Sequence, residues 1–171
     1  SVKSQYNAFR YLTLVGDTTF GGENSVSRWD IRNSDSQYPS SFDMRGFTVT
    51  KVGSNMVGIT TTPIVNPGHF DIREGTLTTE SATVNGDSNN VMTVQNGALY
   101  DIYNMTTPIY WKLVMNDGSR FNARLGSGVA LNVWAGPVVL NGAARFDSSS
   151  GSSATATFAG DISGTGSFLK V

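Results

Sequence analysis

A six-residue pattern occurs twice in the chain, and the interval between its copies limits the folds that the chain can adopt. Residues 72–77 (IREGTL) return 22 positions later as residues 94–99 (VQNGAL), and related glycines follow after steps of 21 and 24 residues, at Gly118 and Gly142. A return after about 22 residues is typical of one coil of a parallel β-helix, in which three short strands alternate with three corners. Glycine returns because one corner of each coil requires a positive φ angle. The spacing therefore predicts a β-solenoid.

Short β-rich runs cover most of the chain. Most have about 4–8 residues and alternate apolar with polar side chains, as half-buried strands do, whereas Gly, Pro or Asn interrupts every helical pattern within two turns. We therefore predict an all-β fold, a right-handed parallel β-helix of roughly seven coils, with residues 1–171 as a single domain. We expect this domain to be excised from a larger secreted protein, because no signal peptide is present and the sequence stops on a strand-like run.

A second recurring pattern reads aromatic, Asp, apolar, Arg. It occurs at residues 29–32, 42–45 and 70–73, with weaker copies at 100–102, 121–124 and 146–147. With a period of two, the apolar residues face the core while Asp and Arg face outward and pair. Asp30 and Asp43 are only 13 residues apart, so they are expected on different faces. The two patterns disagree by one residue over whether Leu99 or Tyr100 points inward, and this register stays open.

Two segments resemble known bacterial sequences. Residues 134–171 (WAGPVVLNGAARFDSSSGSSATATFAGDISGTGSFLKV) resemble autotransporter-associated β-strand repeats, which carry Trp-x-Gly, a VxLxG strand and an ISGxGxLxK ending. Residues 11–57 resemble another segment of the same repeat-rich bacterial surface proteins. The resemblance implies a β-helix that is extracellular or displayed at the surface of a bacterial cell.

Composition excludes several classes of function. The net charge is −1, with 12 basic and 13 acidic residues, so the chain lacks the basic surplus of nucleic-acid binders. The absence of cysteine rules out disulfides and thiolate metal sites. No apolar run approaches the ~20 residues of a membrane helix. We therefore expect neither nucleic acid as a partner nor membrane insertion of this segment.

Groups suited to catalysis are few. His69 is the only histidine and lacks a second histidine or a cysteine for metal or triad chemistry, so we expect it to be solvated or to cap a backbone group. Polysaccharide cleavage needs several carboxylates on one face, which Asp30, Asp43, Asp71 and Asp101 could provide. An Arg two residues away on the same face tends to neutralise such a carboxylate. We therefore expect no enzyme, with no catalytic residues, no metal and no cofactor.

Aromatic residues are densest between positions 100 and 114. Tyr and Trp on a flat β-helix face can stack against sugars, while Asn, Thr and Asp bind sugar hydroxyls. Since Tyr110 and Trp111 are adjacent in a strand, they face opposite sides, and one of them is expected to be exposed. The alternative is that the aromatic side chains fill the core. The residues predicted to bind carbohydrate are Tyr100, Tyr103, Tyr110, Trp111 and Trp134, the last one coil beyond Trp111.

Three functions remain open at this point. The first is a non-catalytic carbohydrate-binding module, for a plant or host polysaccharide such as xylan, attached to a secreted bacterial glycoside hydrolase. The second is a segment of an autotransporter-like adhesin or surface stalk. The third is a small β-helical polysaccharide lyase or hydrolase. The expected partners are a polysaccharide and the neighbouring domains of the parent protein.

Overall fold

A computed structural model describes residues 5–33, 39–81, 84–126, 131–148 and 155–171. In these ranges the chain forms twenty β-strands and no helix, so the described part holds no helix long and apolar enough to cross a membrane. The strands are β1 (Gln5–Phe9), β2 (Tyr11–Thr13), β3 (Thr18–Phe20), β4 (Arg28–Arg32), β5 (Ser41–Asp43), β6 (Thr48–Lys51), β7 (Met56–Thr60), β8 (Ile64–Val65), β9 (His69–Ile72), β10 (Thr76–Glu80), β11 (Val91–Val94), β12 (Leu99–Tyr103), β13 (Lys112–Met115), β14 (Arg120–Arg124), β15 (Val133–Trp134), β16 (Val138–Leu140), β17 (Ala143–Ser148), β18 (Thr157–Phe158), β19 (Ile162–Gly164) and β20 (Ser167–Lys170).

The strands wind in successive layers, and every pairing between them is parallel. One sheet has eight strands in the order β1-β4-β7-β10-β12-β14-β17-β20, and a second has seven, in the order β3-β6-β9-β11-β13-β16-β19 along the same direction. A third side consists of β2-β5-β8 and β15-β18. The predicted parallel β-helix is confirmed.

Apolar side chains stack inside the coil because strands in register place equivalent residues above one another. On the eight-stranded sheet, Val57, Leu77 and Tyr100 lie level with one another and are fully buried. On the seven-stranded sheet, Phe70 and Met92 do the same. Burying each such side chain stabilises the fold by about 1.5–3 kcal/mol.

The corner between the seven-stranded and eight-stranded sheets explains the repeated glycine. Gly53, Gly75, Gly97 and Gly118 have φ values of 71°, 64°, 74° and 69°, a region in which a Cβ atom is strained. The prediction is thus confirmed at Gly75, Gly97 and Gly118. At Gly142 it is wrong, since φ there is not positive. Glycine is needed at that position because a Cβ atom would collide with Asp117 of the preceding layer.

The same corner carries a ladder of amide side chains, which we call the amide ladder. Gln95 Nε2 donates to Asp71 Oδ1 at 2.7 Å, Asn116 Nδ2 donates to Gln95 Oε1 at 2.6 Å, and Asn141 Nδ2 donates to Asn116 Oδ1 at 2.9 Å. Each bond joins one layer to the next, so the ladder ties together four layers at one corner.

A lysine lies inside the coil near this corner. Lys51 occupies the inward position level with Phe20 and Ile72 and is fully buried. Its Nζ donates to the carbonyl oxygens of Val52, Gly53 and Glu74 at 2.8, 2.7 and 3.0 Å. Burial lowers the pKa of Lys51 to about 8, against a smaller opposing effect of the Glu74 charge. Three backbone carbonyl oxygens thus accept hydrogen bonds from the ammonium group of Lys51, at an inward position that apolar side chains occupy in the neighbouring layers.

The register left open by the sequence follows from the length of the corner. Strand β10 starts directly after Gly75, whereas β12 starts two residues after Gly97, because Ala98 belongs to the corner. Leu77 therefore lies level with Tyr100, and Thr76 lies level with Leu99. Tyr100 points inward.

The aromatic-Asp pattern does not form one stack. Asp30 lies in the eight-stranded sheet, Asp43 on the third side and Asp71 in the seven-stranded sheet. The expectation that Asp30 and Asp43 lie on different faces is confirmed. The predicted pairs with Arg two residues later form on all three sides, with N–O distances of 3.5, 3.7 and 2.7 Å.

Candidate binding face

Three of the five residues predicted to bind carbohydrate are in the core. Tyr100, Trp111 and Trp134 are each 0% exposed, so none of them can stack against a sugar at the surface of the folded chain. Their burial is a correction to the prediction. Aromatic rings fill a coil of this width, and the alternation that separates inward from outward positions places them inside.

The contacts of the two tryptophans explain their burial. Trp111 stacks against Phe70, with ring centroids 5.6 Å apart, and its Nε1 donates to the carbonyl of Asn85 at 2.6 Å. Trp134 lies edge-on to Tyr100 at 5.8 Å. Its partner in the preceding layer is Ile109, so the predicted alignment with Trp111 is wrong by two residues.

The other two predicted residues are separated in space. Tyr110 is 53% exposed, which confirms that one of the adjacent pair faces outward, but it lies outside the strands, just before β13. Tyr103 is half-buried at the end of β12, on the outside of the eight-stranded sheet. The guanidinium carbon of Arg124 lies 5.0 Å from its ring centroid, a cation–π contact. The predicted aromatic patch therefore does not form.

A continuous polar surface covers the outside of the eight-stranded sheet, and we call it the polar face. It consists of the outward positions of β4, β7, β10, β12, β14 and β17, which strand register places in columns. Its members are Arg28, Asp30, Arg32, Met56, Gly58, Thr60, Thr76, Thr78, Glu80, Leu99, Asp101, Tyr103, Arg120, Asn122, Arg124, Arg145 and Asp147.

The side chain of Arg28, on β4, extends across β7 and reaches β10 within this face. Its Nε and Nη2 donate to both oxygens of Asp30 at 2.6 and 2.9 Å, and its Nη1 donates to Glu80 Oε1 at 2.9 Å. The strand between them carries Gly58, where a Cβ atom would collide with Asp30 Oδ1 and lie 2.9 Å from Arg28 Nη2. Glycine at this position leaves the space through which the arginine side chain runs.

Asp101 organises the next part of the face. Thr78 Oγ1 donates to Asp101 Oδ2 at 2.8 Å, and Asn122 Nδ2 donates to Asp101 Oδ1 at 2.8 Å. Arg124 donates from Nε to both oxygens at 2.9 and 3.0 Å, and its Nη2 is 3.5 Å from Glu80 Oε1. Arg28 and Arg124 therefore converge on Glu80 from opposite directions. Thr60 Oγ1 also donates to Glu80 Oε2 at 3.3 Å, so the network joins the five strands from β4 to β14.

A second group of charges lies at the β14–β17 end. Arg120 lies level with Arg145 on the neighbouring strand. Arg145 Nε donates to the two oxygens of Asp147 at 2.9 and 3.1 Å, and Arg120 Nη2 is 3.5 Å from Asp147 Oδ2. These side chains, together with Asn122 and Ser148, border an open cleft of about 360 Å³.

The network shifts the pKa values of its members in directions that follow from burial and pairing. Burial acts to raise the pKa of Glu80, but the hydrogen bonds and charges of Arg28 and Arg124 outweigh it and leave this pKa below its ordinary value. Burial raises the pKa of Asp30, against the opposing effect of Arg28. The hydrogen bond to Asp101 raises the pKa of Arg124. Glu80 is thus held as a carboxylate between two guanidinium groups.

The polar face was only partly visible in the sequence. The Asp–Arg alternation indicated outward charges, but it did not show that Asp30, Glu80 and Asp101 share one network across separate coils. Gly58, in the middle of a β-rich run, was the available signal, since glycine inside a strand often marks a close approach. In the described ranges, no group of three or more His, Asp or Glu side chains is placed to hold a metal ion.

His69 has the role expected of it. It is exposed, and its Nδ1 accepts a hydrogen bond from the backbone N–H of Val91 at 3.1 Å, so it caps a backbone group of the next layer.

Comparisons with models of protein families, with curated proteins and with solved structures find no match to this chain. The resemblance to autotransporter-associated β-strand repeats therefore stays a prediction.

Proposed function

We propose that this domain is a non-catalytic carbohydrate-binding module of a secreted bacterial protein and that it holds a polysaccharide along the polar face. The single observation that carries the proposal is the network of Arg, Asp, Glu, Thr and Asn side chains that joins the five strands from β4 to β14, next to the second group of charges on β14 and β17. The function is the one expected from the sequence, but the proposed surface differs from the predicted aromatic patch.

Stability alone does not account for this network. Replacing a buried ion pair by apolar side chains of similar volume is often neutral or stabilising, and apolar residues fill the other side of the same strands. Binding gives a reason to retain the charges. Side chains already fixed by Asp30, Glu80 and Asp101 lose little conformational entropy when they bind a ligand.

The dimensions of the face suit an extended polymer. From β4 to β17 there are five strand spacings, or about 24 Å along the axis of the coil. Each of the six strands contributes at least one side chain with a hydrogen-bond donor or acceptor, so a chain lying along the face would meet polar groups over this length. Tyr103 lies near the middle of this length and offers an aromatic ring beside Arg124.

Pairing of the carboxylates argues against hydrolase or lyase chemistry. An acid or base catalyst must exchange a proton with substrate near neutral pH. On the polar face Asp30, Glu80 and Asp101 each accept hydrogen bonds from arginine. We therefore keep a small polysaccharide lyase or hydrolase only as the third candidate.

One observation favours the second candidate, a segment of an autotransporter-like adhesin or stalk. Both ends of the stack expose apolar side chains, with Phe9 at one end and Ile162 and Phe168 at the other, between 47% and 58% exposed. A scaffold of stacked coils would cover such ends with a further layer or a neighbouring domain.

Affinity electrophoresis against a panel of plant and host polysaccharides tests the proposal. We expect retention on at least one of them, and we expect Tyr103→Ala to weaken it because this ring lies on the polar face. Tyr110→Ala is the matched control, since Tyr110 is an exposed tyrosine outside that face, and it should leave retention unchanged.

Loss of retention in Tyr110→Ala but not in Tyr103→Ala would move the site to another surface. A chain that no polysaccharide retards would contradict the proposal and leave the scaffold as the better candidate. Release of reducing ends or unsaturated products would instead identify an enzyme.

A further inference from the structure

We propose that the polysaccharide is anionic and that Arg120 and Arg145 bind the carboxylates of its uronic acids. This inference rests on the proposed function, because it names the class of ligand for the same face.

On the polar face the acidic side chains are buried or nearly so, whereas the arginine side chains are partly exposed. The acidic side chains, Asp30, Glu80, Asp101 and Asp147, are between 0% and 14% exposed. The arginine side chains, Arg28, Arg32, Arg120, Arg124 and Arg145, are between 15% and 47% exposed. A ligand approaching from outside therefore meets guanidinium groups first, although the chain as a whole has a net charge of −1.

The surplus of positive charge is greatest at the β14–β17 end. Arg120 and Arg145 lie level on adjacent strands, an arrangement of like charges that is unfavourable without an anion. One carboxylate, Asp147, pairs with both, at 3.5 Å from Arg120 and 2.9 Å from Arg145. The three groups together carry one unit of positive charge, which an additional carboxylate would neutralise.

The cleft beside these arginines has room for such a group. It measures about 360 Å³ and is bordered by the two arginines with their partner Asp147, by Asn122 and Ser148, and by the apolar side chains of Leu99 and Val171. Arginine binds carboxylates through two parallel N–H donors, which gives orientation as well as affinity. Uronic acids present carboxylates of this kind along a chain that otherwise carries hydroxyl groups, for which the hydroxyl of Ser148 provides a hydrogen-bonding partner.

Polysaccharide fits these observations better than nucleic acid does. Nucleic-acid binders rely on a long-range positive field, and here four acids lie directly beneath five arginines. The attraction is therefore confined to contact distance, and DNA serves as a comparison ligand in the test.

The test measures retention of the full chain in gels containing polygalacturonate, its methyl ester, dextran sulfate or double-stranded DNA. We expect retention on polygalacturonate that weakens as salt increases and that is lost on the methyl ester, which has the same backbone without the charge. Arg120→Gln and Arg145→Gln should each lower the affinity about tenfold or more. Arg120→Lys keeps the charge without the planar fork and should give an intermediate loss.

Arg73→Gln is the matched control, because Arg73 is an exposed arginine paired with Asp71 on a different side of the coil. It should bind as the wild type does, and thermal melting of every variant establishes that it is folded. Equal retention on the methyl ester would overturn the inference while leaving the proposed function in place. No retention on any polysaccharide would overturn both. Tighter binding to dextran sulfate or DNA, or an equal loss in Arg73→Gln, would overturn the assignment to uronic-acid carboxylates.

Discussion

The polar face and the amide ladder both pair polar side chains that lie above one another in successive coils, but they pair them with different partners. Both occupy outward positions that repeat from coil to coil. In the amide ladder, side chains such as Gln95 and Asn116 bond only to the directly adjacent layers, and the first bond is to the carboxylate of Asp71. In the polar face, Arg28 reaches Glu80 two strands away, and Arg124 reaches Glu80 from the other side.

This difference indicates separate roles for the two regions. Beyond its first acceptor, the carboxylate of Asp71, the ladder pairs amide donors with amide acceptors of the adjacent layer, and this pattern can be repeated in further layers. The polar face instead mixes long and short side chains, and it needs Gly58 as a gap so that one arginine can pass. The ladder is therefore suited to holding coils together, whereas the polar face is suited to presenting charges at fixed positions.

The largest effect on stability is expected from Asp101→Ala. Asp101 is almost fully buried and accepts hydrogen bonds from Thr78, Asn122 and Arg124. The substitution leaves the buried donors of Thr78 and Asn122 without their acceptor and takes one of two carboxylate partners from Arg124, at a combined cost of about 3–5 kcal/mol. Urea denaturation followed by circular dichroism measures the change, and a loss below about 1 kcal/mol would show that the network contributes little.

The corner glycines beside the amide ladder come next, as a matched pair. Gly97→Ala should cost about 1 kcal/mol, because φ is 74° and a Cβ atom would meet no neighbour within 4 Å. Gly75→Ala should cost about 2–4 kcal/mol, because its Cβ atom would also collide with the carbonyl of Gly53 and lie 2.6 Å from that of Asn55. Equal losses in thermal unfolding would mean that the layers can separate to accommodate the added carbon.

A pH dependence distinguishes the polar face from the ladder, whose bonds between Gln95, Asn116 and Asn141 are neutral. Glu80→Gln should cost about 2 kcal/mol at pH 7, since it removes a charged acceptor from Arg28. The pKa of Glu80 is lower in the folded chain than its ordinary 4.5. Its stabilising contribution is therefore complete above pH 4.5 and is lost as the pH falls further. Urea titrations of both proteins from pH 7 to 3 should converge on the acidic side, and a constant difference would contradict the assignment.

The smallest effect is expected within the amide ladder. Gln95→Ala removes one donor to Asp71 and one acceptor for Asn116, both half-buried and within reach of water. We expect a loss of about 1 kcal/mol in urea denaturation at pH 7, smaller than the loss in Glu80→Gln. A loss as large as that of Asp101→Ala would erase the distinction between the two regions.

The sequence predicted the layered fold because its main determinant is local. A corner that needs positive φ selects glycine at Gly75, Gly97 and Gly118, and the interval between them is the length of one coil. The same reasoning was wrong at Gly142, where a close approach to Asp117 selects glycine by a different mechanism. It also left Leu99 and Tyr100 unresolved, because the corner is one residue longer there than at Gly75.

The candidate site was less predictable because contacts between coils depend on register. Trp134 lies level with Ile109 of the preceding layer, two residues before Trp111, so the two tryptophans are not aligned. Alternation alone does not say which aromatic residue of an adjacent pair points inward. Long side chains add a further difficulty. Arg28 contacts Glu80, 52 positions later, and Lys51 turns inward to satisfy backbone carbonyls. Neither contact leaves a periodic trace in the sequence.

A titration followed by two-dimensional ¹H–¹⁵N NMR compares the two regions most directly. Adding oligogalacturonate to the labelled chain should shift the backbone signals of β12, β14 and β17, together with the side-chain Nε–H signals of Arg120 and Arg145. The signals of Gln95 and Asn116 should stay in place. Shifts confined to the amide ladder, or found nowhere in the chain, would contradict the claim that the polar face is the binding surface.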